Sequence, residues 1–168
     1  MDKRMLELKE INVENAKGYG TLIDNSGTEP TADFTQFAFW NELAEDELSG
    51  TVAYGMVQSK PEGLTATTLE RHVHTTELLA PLDGDVILIM GKPTSGDTPN
   101  PDAVGAFRLP QGKAFIFNKG TWHFAPLAER HPVHNLIMFR KGTPDDDLEA
   151  HDLQQERNIV FEVTSASV

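Results

Sequence analysis

The sequence predicts an all-β domain, a sandwich or barrel of many short strands, and three observations carry that expectation. Short runs rich in β-branched and aromatic residues recur along the chain, Gly- or Pro-bearing turn signals separate them, and helical periodicity is scarce. The length of 168 residues suits one domain spanning 1–168, long enough to bury a core and short of two ordinary ones at ~150 residues each.

Taken in order, strands are expected at Gly20–Ile23, Phe34–Trp40, Thr51–Val57, Thr67–His74 and Leu78–Leu82. The second half adds Val86–Met90, Ala106–Leu109, Ala114–Asn118, Val133–Phe139 and Ile159–Val163. Between them stand Asn25-Ser26-Gly27, Lys60-Pro61-Glu62-Gly63, Asp83-Gly84, Pro110-Gln111-Gly112 and Lys119-Gly120, each with Gly or Pro at a turn position. The Gly91–Gly105 segment, rich in Gly, Pro, Asp and Asn, reads as a long surface loop at the rim or an interface. Two short peripheral helices are expected, at Asn41–Leu48 and at Asp145–Gln155. In the second, Thr143-Pro144 supplies a start signal and Asp145-Asp146-Asp147 suits the positive end of the helix dipole.

Composition narrows the function. Acidic residues outnumber basic ones 26 to 14, a formal charge of −12, so a phosphate backbone or anionic membrane is repelled and no nucleic-acid partner is expected. No cysteine is present, which removes disulfides, thiolate metal sites and a Cys nucleophile, and leaves N and O ligands for any metal. Apolar runs such as Val86–Met90 fall far short of the ~20 residues a membrane span needs. The start, Met1 to Glu7, has no apolar stretch behind its charges, so a cytoplasmic location is expected. There is no Gly-rich phosphate loop and no G-x-S-x-G nucleophile motif.

The chemistry concentrates in Glu70-Arg71-His72-Val73-His74-Thr75-Thr76-Glu77. On a strand running to His74, alternation sets His72 and His74 about 7 Å apart on one face, with Glu70 beside them and Arg71 opposite. Imidazoles and a carboxylate on one sheet face form a platform for a divalent ion with open positions. Glu77 reaches that face only if Thr75-Thr76 bend or bulge. His131, His134 and His151 read mainly as surface residues, and Trp122 walls the pocket or simply packs.

These segments resemble the paired signatures of the cupin superfamily, G-x5-H-x-H-x(3,4)-E-x6-G and G-x5-P-x-G-x2-H-x3-N. His72, His74, Glu77 and Gly84 match the first, with only Thr75-Thr76 between His74 and Glu77 and the leading Gly displaced; Gly112, Gly120 and His123 match the second, with Asn118 at the usual Pro and Leu127 at the final Asn. A closer resemblance covers most of the chain. Leu69-Glu70-Arg71-His72, Thr76, Pro81-Leu82-Asp83-Gly84-Asp85-Val86, Phe107, Gly120-Thr121-Trp122-His123 with Pro126-Leu127, and Arg140-Lys141-Gly142 are similar to the ureidoglycolate lyase family. Glu77-Leu78 and Phe124-Ala125-Pro126 depart from that family's pattern.

The resemblance implies a cupin-type jelly-roll barrel, a homodimer, and cleavage of ureidoglycolate to glyoxylate and urea in allantoin breakdown. It implies a divalent metal, Ni, Zn, Mn or Fe, on His72, His74, Glu77 and His123, with Glu77 as ligand or base. Glu70, Glu77 and His123 are the catalytic candidates; Lys119, Arg71 and Trp122 are the substrate-binding ones, the two cations for a carboxylate. Another metal-dependent cupin enzyme, an isomerase or oxygenase, and a non-enzymatic binder of small acids remain the alternatives.

Overall fold

The computed structural model describes residues 1–164. The chain opens with β1 (Asp2–Glu10), a single helical turn α1 (Val13–Ala16) and β2 (Gly20–Ile23). A small hairpin of β3 (Ala32–Asp33) and β4 (Ala38–Phe39) leads to β5 (Val52–Ser59), then to β6 (Thr65–Ala66) and β7 (Thr68–Arg71). The middle consists of β8 (Glu77–Pro81), β9 (Val86–Gly91), β10 (Val104–Leu109), β11 (Ala114–Phe117) and β12 (Trp122–His123). β13 (Val133–Arg140), α2 (Thr143–Asp146), β14 (Glu149–Asp152), α3 (Leu153–Arg157) and β15 (Ile159–Thr164) complete it.

Eight strands form one sheet in the order β14-β7-β12-β9-β10-β1-β15-β6, and five form a second in the order β2-β11-β8-β13-β5. In the larger sheet β6 lies at one end and β7 near the other, yet only Thr67 separates them in the chain. That sheet must therefore curl back on itself. The curl encloses one core, with Leu69, Ile87, Ile89, Trp122, Leu153 and Phe161 among its members. A second core, including Leu79, Leu88, Met90, Phe107, Phe115 and Phe117, fills the space between the sheets. β9 is buried at every position because alternation sends Val86, Leu88 and Met90 into the second core and Ile87 and Ile89 into the first.

The all-β class with short peripheral helices is as expected. Three local expectations are corrected. β1 was not anticipated: it is a central strand, parallel to both β10 and β15, despite six charged residues among its nine. Asn41–Leu48 is not helical; Asn41 N–H donates to Thr31 Oγ1 and Asp46 accepts from Thr76 Oγ1, long-range bonds that outweigh a helix too short to persist alone. The helix expected over Asp145–Gln155 is split, because Glu149–Asp152 pairs with β7 as an edge strand. Asp152 then caps α3 by accepting from Gln155 N–H.

Candidate active site

Glu70 and His123 stand opposite one another where β7 and β12 pair. Alternation turns Leu69, Arg71 and Trp122 toward the curled core and leaves Glu70 and His123 facing the five-stranded sheet. β7 ends at Arg71, so His72 lies just beyond it, where the backbone bends through Val73 and His74. Gly120 fixes this exit: it sits at φ +80° in the turn before β12 and donates its N–H to the His72 carbonyl at 2.7 Å. From the facing sheet, Glu77 opens β8 with its side chain inward.

The four side chains meet. Glu77 Oε2 lies 3.2 Å from His72 Nε2 and 3.4 Å from His123 Nε2, and Glu70 Oε1 lies 3.8 Å from His123 Nε2. Ligand atoms of Glu70, His72 and His123 all fall within 4.8 Å of one another. Each imidazole is oriented from behind: His72 Nδ1 bonds the Asp147 carbonyl at 2.7 Å and His123 Nδ1 bonds the Thr121 carbonyl at 2.9 Å. A carbonyl only accepts, so both Nδ1 atoms carry hydrogen and both Nε2 atoms face the site.

Burial alone raises the Glu77 carboxyl, but the hydrogen bonds from His123 and then His72 outweigh it and hold the group at about 2. Burial likewise lowers His72, and the bond to Glu77, followed by that to the Asp147 carbonyl, outweighs it, so the ring is held above its ordinary value. The carboxylate thus stays ionised beside the His72 ring, which favours positive charge. A divalent cation bound there would take over the role of the ring protons.

The group sits in a cavity of about 280 Å³ between the sheets, walled by Val57, Leu79, Phe117, Ile137 and Phe139, with exposed Pro144 and Leu148 at its rim. Among the described residues no lysine or arginine lines it. Two carboxylates without a counter-cation repel an anionic ligand, whereas two imidazole nitrogens and carboxylate oxygens suit a divalent metal that would attract one. The donor set therefore fits the metal that the sequence motif implies.

Not every sequence candidate is brought into this group. His74 is exposed, with only its backbone N–H engaged, because the strand stops at Arg71 and the alternation that paired it with His72 ends there. Arg71 is buried on the opposite face, 2.6 Å from Glu149 and stacked 4.4 Å over Trp122. Trp122 is fully buried and donates Nε1–H to Thr94 Oγ1. Lys119 is exposed in the turn and does not line the cavity. His134 is exposed beside Asp83, and His151 bonds Glu156 and the Asp97 carbonyl. Phe124, Ala125 and Pro126, where the sequence departs from the family pattern, do line the cavity. Sequence reasoning missed Asp147, hidden in an acidic run whose other members are exposed, and the apolar wall Phe139.

A family model described as ureidoglycolate lyase matches residues 3–160. Among curated relatives, a ureidoglycolate lyase of Pseudomonas putida is 25% identical over 165 residues, covering 94% of this chain and 97% of that one. That of Azotobacter vinelandii is 27% identical over 146 residues, covering 83% and 87%. Among solved structures, the oxalate decarboxylase of Lactobacillus farciminis is similar at TM-score 0.43 and 15% identity, over 62% of this chain and 27% of that longer one. A Bacillus subtilis oxalate decarboxylase is similar at TM-score 0.43 and 18% identity, over 62% and 24%. With a family model matching nearly the whole of it, the chain belongs to the ureidoglycolate lyase family.

Proposed function

We propose that the chain cleaves ureidoglycolate to glyoxylate and urea, with His72, His123 and Glu77 holding a divalent metal and Glu70 moving the proton. The observation that carries this reading is the convergence of Glu70, His72, Glu77 and His123 on one cavity in a chain of this family. The substrate is a carbinolamide: one carbon bears a hydroxyl, a carboxylate and the urea nitrogen. Its cleavage moves the hydroxyl proton to the departing nitrogen, while the O–H electron pair becomes the C=O bond and the C–N pair leaves with urea. No water is consumed.

Glu70 suits the proton transfer. Its side chain is 38% exposed, against 10% for Glu77, and it is not clamped between the two rings, so it is free to accept the proton and return it to nitrogen. Glu77, in contact with both Nε2 atoms, is placed as a ligand. A divalent ion bound there would supply positive charge for the substrate carboxylate and lower the pKa of the neighbouring hydroxyl. The apolar walls exclude water from the reacting carbon, which strengthens those electrostatic contacts. Arg71 and Lys119 lie outside the cavity, so on this reading neither binds the carboxylate.

The active form is proposed to be a cytoplasmic homodimer. Tyr54 and Met56, 71% and 55% exposed, project from the edge strand β5 and offer an apolar surface for a second copy. Among the described residues no helix is long and apolar enough to cross a membrane, and the charge of −12 disfavours nucleic acid. The deciding experiment follows glyoxylate from ureidoglycolate by coupling to a reductase, with Zn, Ni, Mn and Fe tested in turn. Release above spontaneous decay, lost in His123→Ala, is the expected result. Release equal to spontaneous decay under every metal removes the lyase reading in favour of another cupin activity.

A further inference from the structure

We infer that Asp147 is a positioning residue for the metal centre, acting as a two-sided clamp on the bend that carries His72. The inference rests on the reading of His72 as a metal ligand.

Between the end of β7 at Arg71 and the start of β8 at Glu77 the chain crosses from one sheet to the other without ladder bonds of its own. Backbone N–H groups in such a crossing need partners, and a partly buried donor left without one costs free energy. Asp147 supplies them. One carboxylate oxygen accepts from Val73 N–H at 2.8 Å and the other from His74 N–H at 2.9 Å. On its other side the Asp147 carbonyl accepts from His72 Nδ1 at 2.7 Å. A single residue thus grips three consecutive residues, two by the main chain and one by the ring.

The clamp is itself anchored. Asp147 N–H donates to the Thr143 carbonyl at 3.0 Å, and Thr143 Oγ1 donates to the Arg140 carbonyl at 2.7 Å, which ties the segment to the end of β13. Asp147 is only 3% exposed, and its carboxylate is satisfied by the two backbone N–H groups. Its neighbours Asp145 and Asp146 are exposed. A buried carboxylate is tolerated where charge-assisted bonds hold it. Among the described residues those bonds reach only the His72 bend, and together with the Gly120 N–H on the His72 carbonyl they set the position of the His72 Nε2. Pro144 and Leu148, on either side in the chain, line the cavity rim, so the segment that sets His72 also borders the entry.

The test is cobalt(II) titration of the metal-free full chain, comparing wild type with Asp147→Ala, Asp147→Asn, His72→Ala and, as a control, Asp145→Ala. Affinity and the visible cobalt spectrum are read at a temperature where circular dichroism shows each variant folded. Asp147→Ala is expected to weaken cobalt by ~10–100-fold, the effect typical of residues that orient a ligand, and to shift the spectrum. Asp147→Asn, which keeps the volume and one acceptor, is expected to lie between Asp147→Ala and wild type, with Asp145→Ala unchanged. A folded Asp147→Ala with wild-type affinity and spectrum overturns the inference while His72→Ala still abolishes binding. If His72→Ala also binds as wild type does, the ligand reading falls, and the inference with it. Should the Asp147 variants fail to fold, amide exchange in the unmodified chain decides. By linkage, metal must slow exchange at Val73 and His74 if the clamp and the centre are coupled, and unchanged exchange overturns the inference.

Discussion

Glu70 and His123 are direct cross-strand partners, yet of the two side chains only that of His123 is locked from behind, its ring by the Thr121 carbonyl at 2.9 Å. The locked member suits a ligand and the free member a proton carrier. Glu70→Gln is expected to retain metal and lose about 10²–10⁴-fold in kcat, whereas Glu77→Gln is expected to lose metal. Elemental analysis beside glyoxylate release checks both; equal metal loss in the two variants would reverse the assignment.

Arg71 lies on the wrong side of its strand to touch substrate, and its variant separates structure from binding. Its guanidinium, 9% exposed, is paired with Glu149 and stacked on Trp122. Breaking a fully buried pair costs ~3–5 kcal/mol. Because Glu149 is 42% exposed, Arg71→Met is expected to cost about 2 kcal/mol with KM unchanged. Urea midpoints and steady-state kinetics check it; a large rise in KM in a stable variant would return Arg71 to the substrate.

Asp24 gives the pH dependence a sign. Burial raises its carboxyl, but the hydrogen bonds from Lys113 and Ser26 outweigh that and hold it at about 2. A folded value below the unfolded one of ~3.9 means the contribution is complete above pH 4 and is lost as pH falls from 4 toward 2. After allowance for solvent screening the contribution is about 1 kcal/mol. Asp24→Asn is expected to flatten the stability curve in that window, as chemical denaturation at stepped pH would show.

Gly20 has no room for a side chain. A Cβ there would collide with the Ile116 carbonyl and come within 2.7 Å of the Phe115 ring. The carbonyl belongs to the β2–β11 ladder and cannot swing aside. Gly20→Ala is expected to cost 3 kcal/mol or more, on the order of severe overpacking, read as a fall in Tm or loss of soluble protein. A wild-type Tm contradicts it.

The proposed dimer surface is tested by Tyr54→Arg combined with Met56→Glu. These residues leave the outer side of β5, while Val57 on the inner side lines the cavity. The doubly substituted chain is expected to run as a folded monomer in light scattering. Dimerisation at wild-type strength would place the interface elsewhere.

The sequence made the apolar strands legible because their burial is written in consecutive or alternating apolar residues: β9, β11, β13 and β15 lie within a residue or two of expectation. β1 was hidden because most of its outward positions are charged and it buries little beyond Leu6 and Leu8. Two of its charges are balanced by distant partners, Lys3 by Glu162 on β15 and Arg4 by Asp102 just before β10, and such partners are invisible to periodicity. His72 and His123 were legible from spacing. His74 was misplaced because the strand stops short of it, a limit set by the Gly120 and Asp147 bonds from distant parts of the chain. β12 is two residues long, too short for any pattern to declare.

β9 belongs to two interiors at once, and this divides its positions into separate design problems. Ile87 and Ile89 hold the strand against the curled sheet, while Val86, Leu88 and Met90 belong to the core between the sheets, the same space that contains the reactive cavity. The first set keeps the strand in register when the second is varied. Libraries at Leu79 and Phe117, which line the cavity, with the even-numbered positions varied behind them to repack the core, therefore offer a route to new substrate shapes on an unchanged frame.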